Sequence, residues 1–170
     1  MLDQSIENYA KIKAILTELV KGEKNFIANA SNFSSLIYNY FNYINWCGFY
    51  MLEHGELVLS TFQGKPACLR IAIGQGACGT AAAQKKTLVV ENVHEFKGHI
   101  ACDSDSRSEI VLPVIFDYKL YGVLDIDSSV FNRFSSEDSE FLRNMLRILL
   151  ESSDITKLDG YYNPIDIKSE

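Results

Sequence analysis

Glu109-Ile110-Val111-Leu112-Pro113-Val114-Ile115-Phe116-Asp117-Tyr118-Lys119-Leu120-Tyr121-Gly122-Val123-Leu124-Asp125-Ile126-Asp127 holds two apolar runs of strand length joined by a short turn at Asp117-Tyr118. Runs this rich in β-branched and aromatic residues, with so short a link, predict two adjacent antiparallel strands. Alternation along the second strand puts Val123, Asp125 and Asp127 on one face. Two carboxylates then stand together at the end of an otherwise apolar strand, and Glu109, at the start of the partner strand, can join them. Carboxylates held that close raise each other's pKa and favour one staying protonated near neutral pH. The same acids also fit a plain solvated strand end.

Towards the N-terminus a second hairpin is predicted, with strands Ile44 to Leu52 and Glu56 to Phe62 around His54-Gly55. Trp46, Gly48 and Tyr50 share one face of it and Cys47 and Phe49 the other. The single tryptophan and the tyrosine can form an aromatic wall, with Gly48 between them leaving room for a ligand, or they can be two core aromatics. Cys47 points away from that wall as a buried bystander. Gln63 to Cys68 is a turn-rich link, Leu69 to Ile73 a short strand, and Thr87 to Val90 another.

Between the two short strands, Gly74-Gln75-Gly76-Ala77-Cys78-Gly79 has the Gly-x-Gly-x-x-Gly spacing of a dinucleotide fingerprint. The chain does not alternate strand and helix at its start, and the acidic residue after a second strand is missing. A glycine-rich turn opening a small-residue helix, Ala77 to Lys86, is the economical account. Cys78 falls in its first turn, where a helix N-terminus can lower a thiol pKa.

Helices are predicted at both ends of the chain. From Ser5 to Phe41 apolar residues recur at helical spacing, with Ile6, Tyr9, Ile12, Ile15, Leu16 and Leu19 on one stripe and Phe26, Ile27, Phe33, Leu36, Ile37 and Tyr40 on another, broken near Lys21-Gly22. Ser135-Ser136-Glu137-Asp138 caps a closing amphipathic helix packed through Phe141, Leu142, Met145, Leu146 and Leu149. Helices at both ends of an antiparallel sheet make an α+β fold, expected as one domain over residues 1–155 with a weakly ordered tail over 156–170. The 170 residues, 47% hydrophobic, suffice for one core. A net charge of −6 and a pI near 5.1 argue against nucleic acid or an anionic membrane as partner. An acidic N-terminus, and no apolar run near the ~20 residues of a membrane span, predict a soluble, cytoplasmic protein.

Residues 91–108 show no periodicity, and structureless connections of that length tend to be functional. Near the centre stands Cys102, flanked by Asp103, Asp105 and serines, with His99 and Arg107 close by. Polar surroundings of this kind suit a nucleophilic thiol better than a core cysteine, although a surface turn with a free thiol has the same composition. The four cysteines, Cys47, Cys68, Cys78 and Cys102, contain no C-x-x-C pair. In a reducing compartment they point to thiol chemistry rather than a permanent framework, and no metal is expected from their spacing.

Five blocks together carry a resemblance: Gln63-Gly64-Lys65-Pro66-Ala67-Cys68, Gly76-Ala77-Cys78-Gly79-Thr80-Ala81-Ala82, Gly98-His99-Ile100-Ala101-Cys102-Asp103-Ser104, Ser106-Arg107-Ser108-Glu109-Ile110 and Gly122-Val123-Leu124-Asp125-Ile126-Asp127-Ser128. Over residues 5–152 the chain resembles the free methionine-R-sulfoxide reductases, a GAF-domain family. The resemblance implies a GAF-like antiparallel sheet flanked by N- and C-terminal helices. It matches Cys102 to the catalytic cysteine, Cys68 to the recycling cysteine and Cys78 to a third cysteine of the family. It matches Trp46 and Tyr50 to pocket aromatics, and Glu109, Asp125 and Asp127 to the carboxylates that hold the substrate. It implies reduction of free methionine R-sulfoxide through a sulfenic acid and a disulfide, with no bound cofactor, thioredoxin as external reductant, and a homodimer. Cys47 lies outside the family's set. The other functions considered are a stand-alone GAF sensor for a small ligand or cyclic nucleotide and a thiol-based redox or metal sensor without a substrate.

Overall fold

The computed structural model describes the backbone of residues 2–98 and 104–167, and the side chains from Asn8 onward within those stretches. Helices α1 (Leu2–Leu19) and α2 (Phe26–Tyr40) flank the predicted break, where Gly22 takes φ +80°. Ile12, Leu16, Phe33 and Ile37 of their apolar stripes are fully buried. Strands β1 (Ile44–Glu53) and β2 (Glu56–Gly64) form the first hairpin. His54 and Gly55 both have positive φ, the two-residue turn that matches the twist of its strands. There follow β3 (Arg70–Ala72), α3 (Gly76–Gln84), β4 (Leu88–Val90), the second hairpin β5 (Ser108–Phe116) and β6 (Lys119–Ser128), and α4 (Ser136–Ser152). Ser135 and Asp138 close a capping box at the start of α4.

The sheet runs β3-β2-β1-β6-β5-β4 with every pair antiparallel, so the two hairpins meet through β1 and β6 at its centre. Its two faces are both covered. Cys47, Phe49, Met51, Ile110, Leu112, Leu124 and Ile126 pack with the residues of α1, α2 and α4. Trp46, Tyr50, Leu57, Val111 and Val123 pack with Ala77, Ala81 and Ala82 of α3. Burial on two sides is why the central strands read as continuous apolar runs.

The end of the domain at Ile155 and the described part of the tail, 156–167, expected to be weakly ordered, pack against the sheet. Ile155 and Tyr162 are buried, and Asp159 accepts from the Tyr121 hydroxyl (2.8 Å) and pairs with Lys119 (2.7 Å). A last strand, β7 (Ile165–Asp166), pairs with Leu120 and Lys119. Because β5 already holds one edge of those two residues, β7 takes the edge that β1 leaves beyond Gly122.

Helix α3 crosses close to β3. A Cβ at Gly79 would stand 2.3 Å from the Ala72 carbonyl oxygen, so this glycine of the fingerprint-like run serves helix-to-strand approach. Gly79→Ala is expected to destabilise the protein by about 1–3 kcal/mol as α3 is pushed off the sheet, which chemical denaturation measures.

Candidate active site

Strand register assembles the site. On the α3 face, Trp46 lies opposite Asp127 and Gly48 opposite Asp125 across β1 and β6, while Glu109 lies opposite Asp127 across β5 and β6. Trp46, Tyr50, Cys78, Glu109, Asp125 and Asp127, all predicted, line one cavity. Pro66 and Ala67 bring the segment ahead of Cys68 to the same wall. Cys68 is disulfide-bonded, and Cys47 and Cys78 are free thiols. Cys102, with His99 and Asp103, lies outside the described residues.

The acids are not a solvated strand end. Glu109 and Asp125 are only 5% and 7% exposed. Burial pushes the Glu109 carboxyl well above the usual range, and the neighbouring Asp125 adds to the rise. Burial pushes Asp125 up to about 7, against hydrogen bonds from the Cys78 thiol and the Ile126 backbone that favour its charged form. Among the described residues Asp125 Oδ1 has no hydrogen-bond partner, a costly condition for a buried carboxyl that a bound ligand's donor would relieve. Asp127 is half-buried beside them.

Cys78 departs from expectation. A first-turn position favours a lowered thiol pKa, yet burial, followed by the nearby Asp125 and Glu109, pushes this thiol up instead. Desolvation and two adjacent acids outweigh the helix terminus. Cys78 is therefore a neutral thiol that hydrogen-bonds Asp125. Cys78, Glu109 and Asp125 offer one ligand atom each within 4.8 Å of one another. A divalent cation could use that set only by displacing the protons that burial retains on it.

The aromatic wall also differs in detail. Trp46 stacks on Tyr50 (centroids 5.8 Å apart) and on Phe62 (5.4 Å), a third ring not anticipated. A Cβ at Gly48 would meet Phe62 Cβ at 2.4 Å and Trp46 Cη2 at 2.7 Å. The space over Gly48 thus belongs to these two rings and not to a ligand. Phe62 was detectable in principle, since it lies directly opposite Gly48 on the same face. Ser106 and Gln75, from the family block and the glycine-rich run respectively, also line the cavity.

Cys47 is fully buried on the helix face of the sheet, as its alternation predicted. Cys47→Ser is expected to leave turnover within about twofold of wild type while lowering stability by about 1–3 kcal/mol, because a hydroxyl replaces an apolar core group. Steady-state assay and denaturation read the two effects separately.

A GAF-domain family profile matches residues 31–150. The free methionine-R-sulfoxide reductase of Escherichia coli K12 is 50% identical over 82% of this chain and 85% of its own. The chain belongs to the free methionine-R-sulfoxide reductase family. A relative of the same name from Saccharomyces cerevisiae is 44% identical over 79% of each chain. The structure of fRMsr of Staphylococcus aureus in complex with substrate has a TM-score of 0.82 at 47% identity, covering 85% of this chain and 95% of that one. The family's GAF fold accounts for the curled antiparallel sheet and its helices, as the five sequence blocks implied.

Proposed function

We propose that this protein reduces free methionine R-sulfoxide to methionine, with Cys102 as nucleophile and Cys68 as the thiol that recycles it. The observation that carries the proposal is the buried Glu109–Asp125 carboxyl pair, both raised in pKa by burial, beside a neutral thiol in an aromatic-walled cavity. A sulfoxide sulfur is a poor electrophile until its oxygen is protonated or strongly hydrogen-bonded, and a carboxyl of raised pKa supplies that proton at neutral pH.

The Cys102 thiolate attacks the sulfur, the oxygen passes to the cysteine, and methionine leaves as the thioether. Cys102 is then a sulfenic acid. Cys68 attacks it, forming the S–S bond as the S–O bond breaks and water leaves. An external dithiol of the thioredoxin kind restores both thiols by exchange. Trp46 packs on the methyl and thioether end, and the carboxylate side of the cavity with Asp127 attracts the ammonium. Gln75, Gly76 and Ala77 at the start of α3 line the same cavity, where a helix N-terminus favours an anion such as the substrate's carboxylate. Recognition of both ends excludes peptide-bound methionine sulfoxide. In this proposal the enzyme is a cytoplasmic homodimer.

The test is NADPH oxidation coupled through thioredoxin and thioredoxin reductase, with each separated sulfoxide diastereomer of free methionine. Consumption with the R form alone supports the proposal. Failure of both forms, with dithiothreitol also tried as donor, points to a ligand-binding GAF sensor.

The same assay carries a pH prediction. The raised carboxyls are active when protonated, so kcat is expected to fall as pH rises through their raised pKa values, and the fall belongs to the coupled pair rather than to one acid. Asp125→Asn should remove or displace this alkaline limb, and an unchanged limb in that variant would assign it to another group.

A further inference from the structure

The segment from Lys65 to Leu69 joins β2 to β3 without regular structure, yet it forms a wall of the cavity through Pro66 and Ala67. Two side chains from the floor of the sheet hold it. The Trp46 indole N–H donates to the Lys65 carbonyl oxygen (3.1 Å), and the Tyr50 hydroxyl donates to the carbonyl oxygen of Cys68 itself (3.0 Å). Both donor residues are 2% exposed and both bonds are part-buried. Their rings stack on each other, which fixes the two donors relative to one another. Lys65 also pairs with Asp105, but both partners are more than half exposed, and such pairs contribute little.

We propose that Tyr50 and Trp46 are positioning residues for the recycling thiol: their hydrogen bonds to the Lys65–Cys68 segment hold Cys68 where it meets the oxidised nucleophile. The inference rests on the recycling role assigned to Cys68 above. Cys68 is disulfide-bonded, and the Tyr50 hydroxyl donates to its carbonyl oxygen in that oxidised state. In that step the Cys68 thiolate attacks the sulfenic sulfur of Cys102, the S–S bond forms, the S–O bond breaks, and the departing hydroxide takes up a proton. Its rate depends on how often Cys68 occupies the reactive geometry.

The experiment oxidises fully reduced protein with one equivalent of hydrogen peroxide in the presence of dimedone, a sulfenic-acid trap. Peroxide converts the Cys102 thiolate to sulfenic acid with loss of hydroxide. Mass spectrometry then gives the ratio of dimedone adduct on the Cys102 peptide to disulfide. Tyr50→Phe keeps the ring and removes only the hydroxyl, and the ratio is expected to rise roughly 3- to 10-fold, the equivalent of one net hydrogen bond. Tyr121→Phe is the control for general loosening, because its hydroxyl bonds Asp159 and its side chain belongs to the helix-face core. It should keep the wild-type ratio. A wild-type ratio in Tyr50→Phe, or an equal rise in Tyr121→Phe, would overturn the inference. Peroxide takes the place of the sulfoxide, so these outcomes do not depend on which substrate the cavity accepts. If Cys68→Ser leaves the ratio unchanged, the recycling role and this inference fall together, with the sulfoxide assay left to judge the reductase activity.

Discussion

Cys102→Ser is expected to lower turnover of free methionine R-sulfoxide by about 10³-fold or more. The reason is chemical. A thiolate is a soft, readily formed nucleophile towards sulfur, whereas a serine hydroxyl stays protonated at neutral pH and has no sulfur to accept the oxygen. The sulfenic acid cannot form, so Cys68 has nothing to resolve. Single turnover shows this without a reductant: the wild type should release one methionine per chain and lose two titratable thiols, and the variant should do neither. Retention of more than about a hundredth of the wild-type rate would take the nucleophile's role away from Cys102.

Asp125→Asn is the second large effect, with kcat expected to fall by about 10²- to 10⁴-fold, the range for loss of a general acid. The substitution preserves volume and leaves the side chain able to hydrogen-bond, but an amide cannot transfer a proton to the sulfoxide oxygen. It also removes the Asp125 charge that adds to the rise of the Glu109 pKa. Glu109→Gln should therefore produce a loss of similar size, and the double variant less than the product of the two, because the acids act as a pair. A KM increase with kcat preserved would recast Asp125 as a binding group only.

How much of this was legible beforehand depended on range. Both hairpins, the break at Gly22, the cap at Ser135 and the opposite facing of Trp46 and Cys47 follow from periodicity and turn chemistry within about ten residues. The acids' shared face was likewise legible, because alternation along one strand sets it. Cys78 was misjudged because its pKa is governed by Asp125 and Glu109, which lie on strands far along the chain. Of the two readings open for Gly48, room for a ligand or a core site, the packed one holds because Phe62 from the next strand fills its space. Tyr50 and Trp46 showed as a wall, but their grip on Lys65 and Cys68 did not, since it needs the fold of the β2–β3 link.

Local order in the chain was thus enough to set the elements, the face each side chain takes and the thiols and acids available for chemistry. Register and burial settled the rest: which acids meet, which carboxyls are raised in pKa, and that residues 155–167 close on the sheet. These depend on desolvation and cross-strand distance, quantities that exist only once distant segments are packed together.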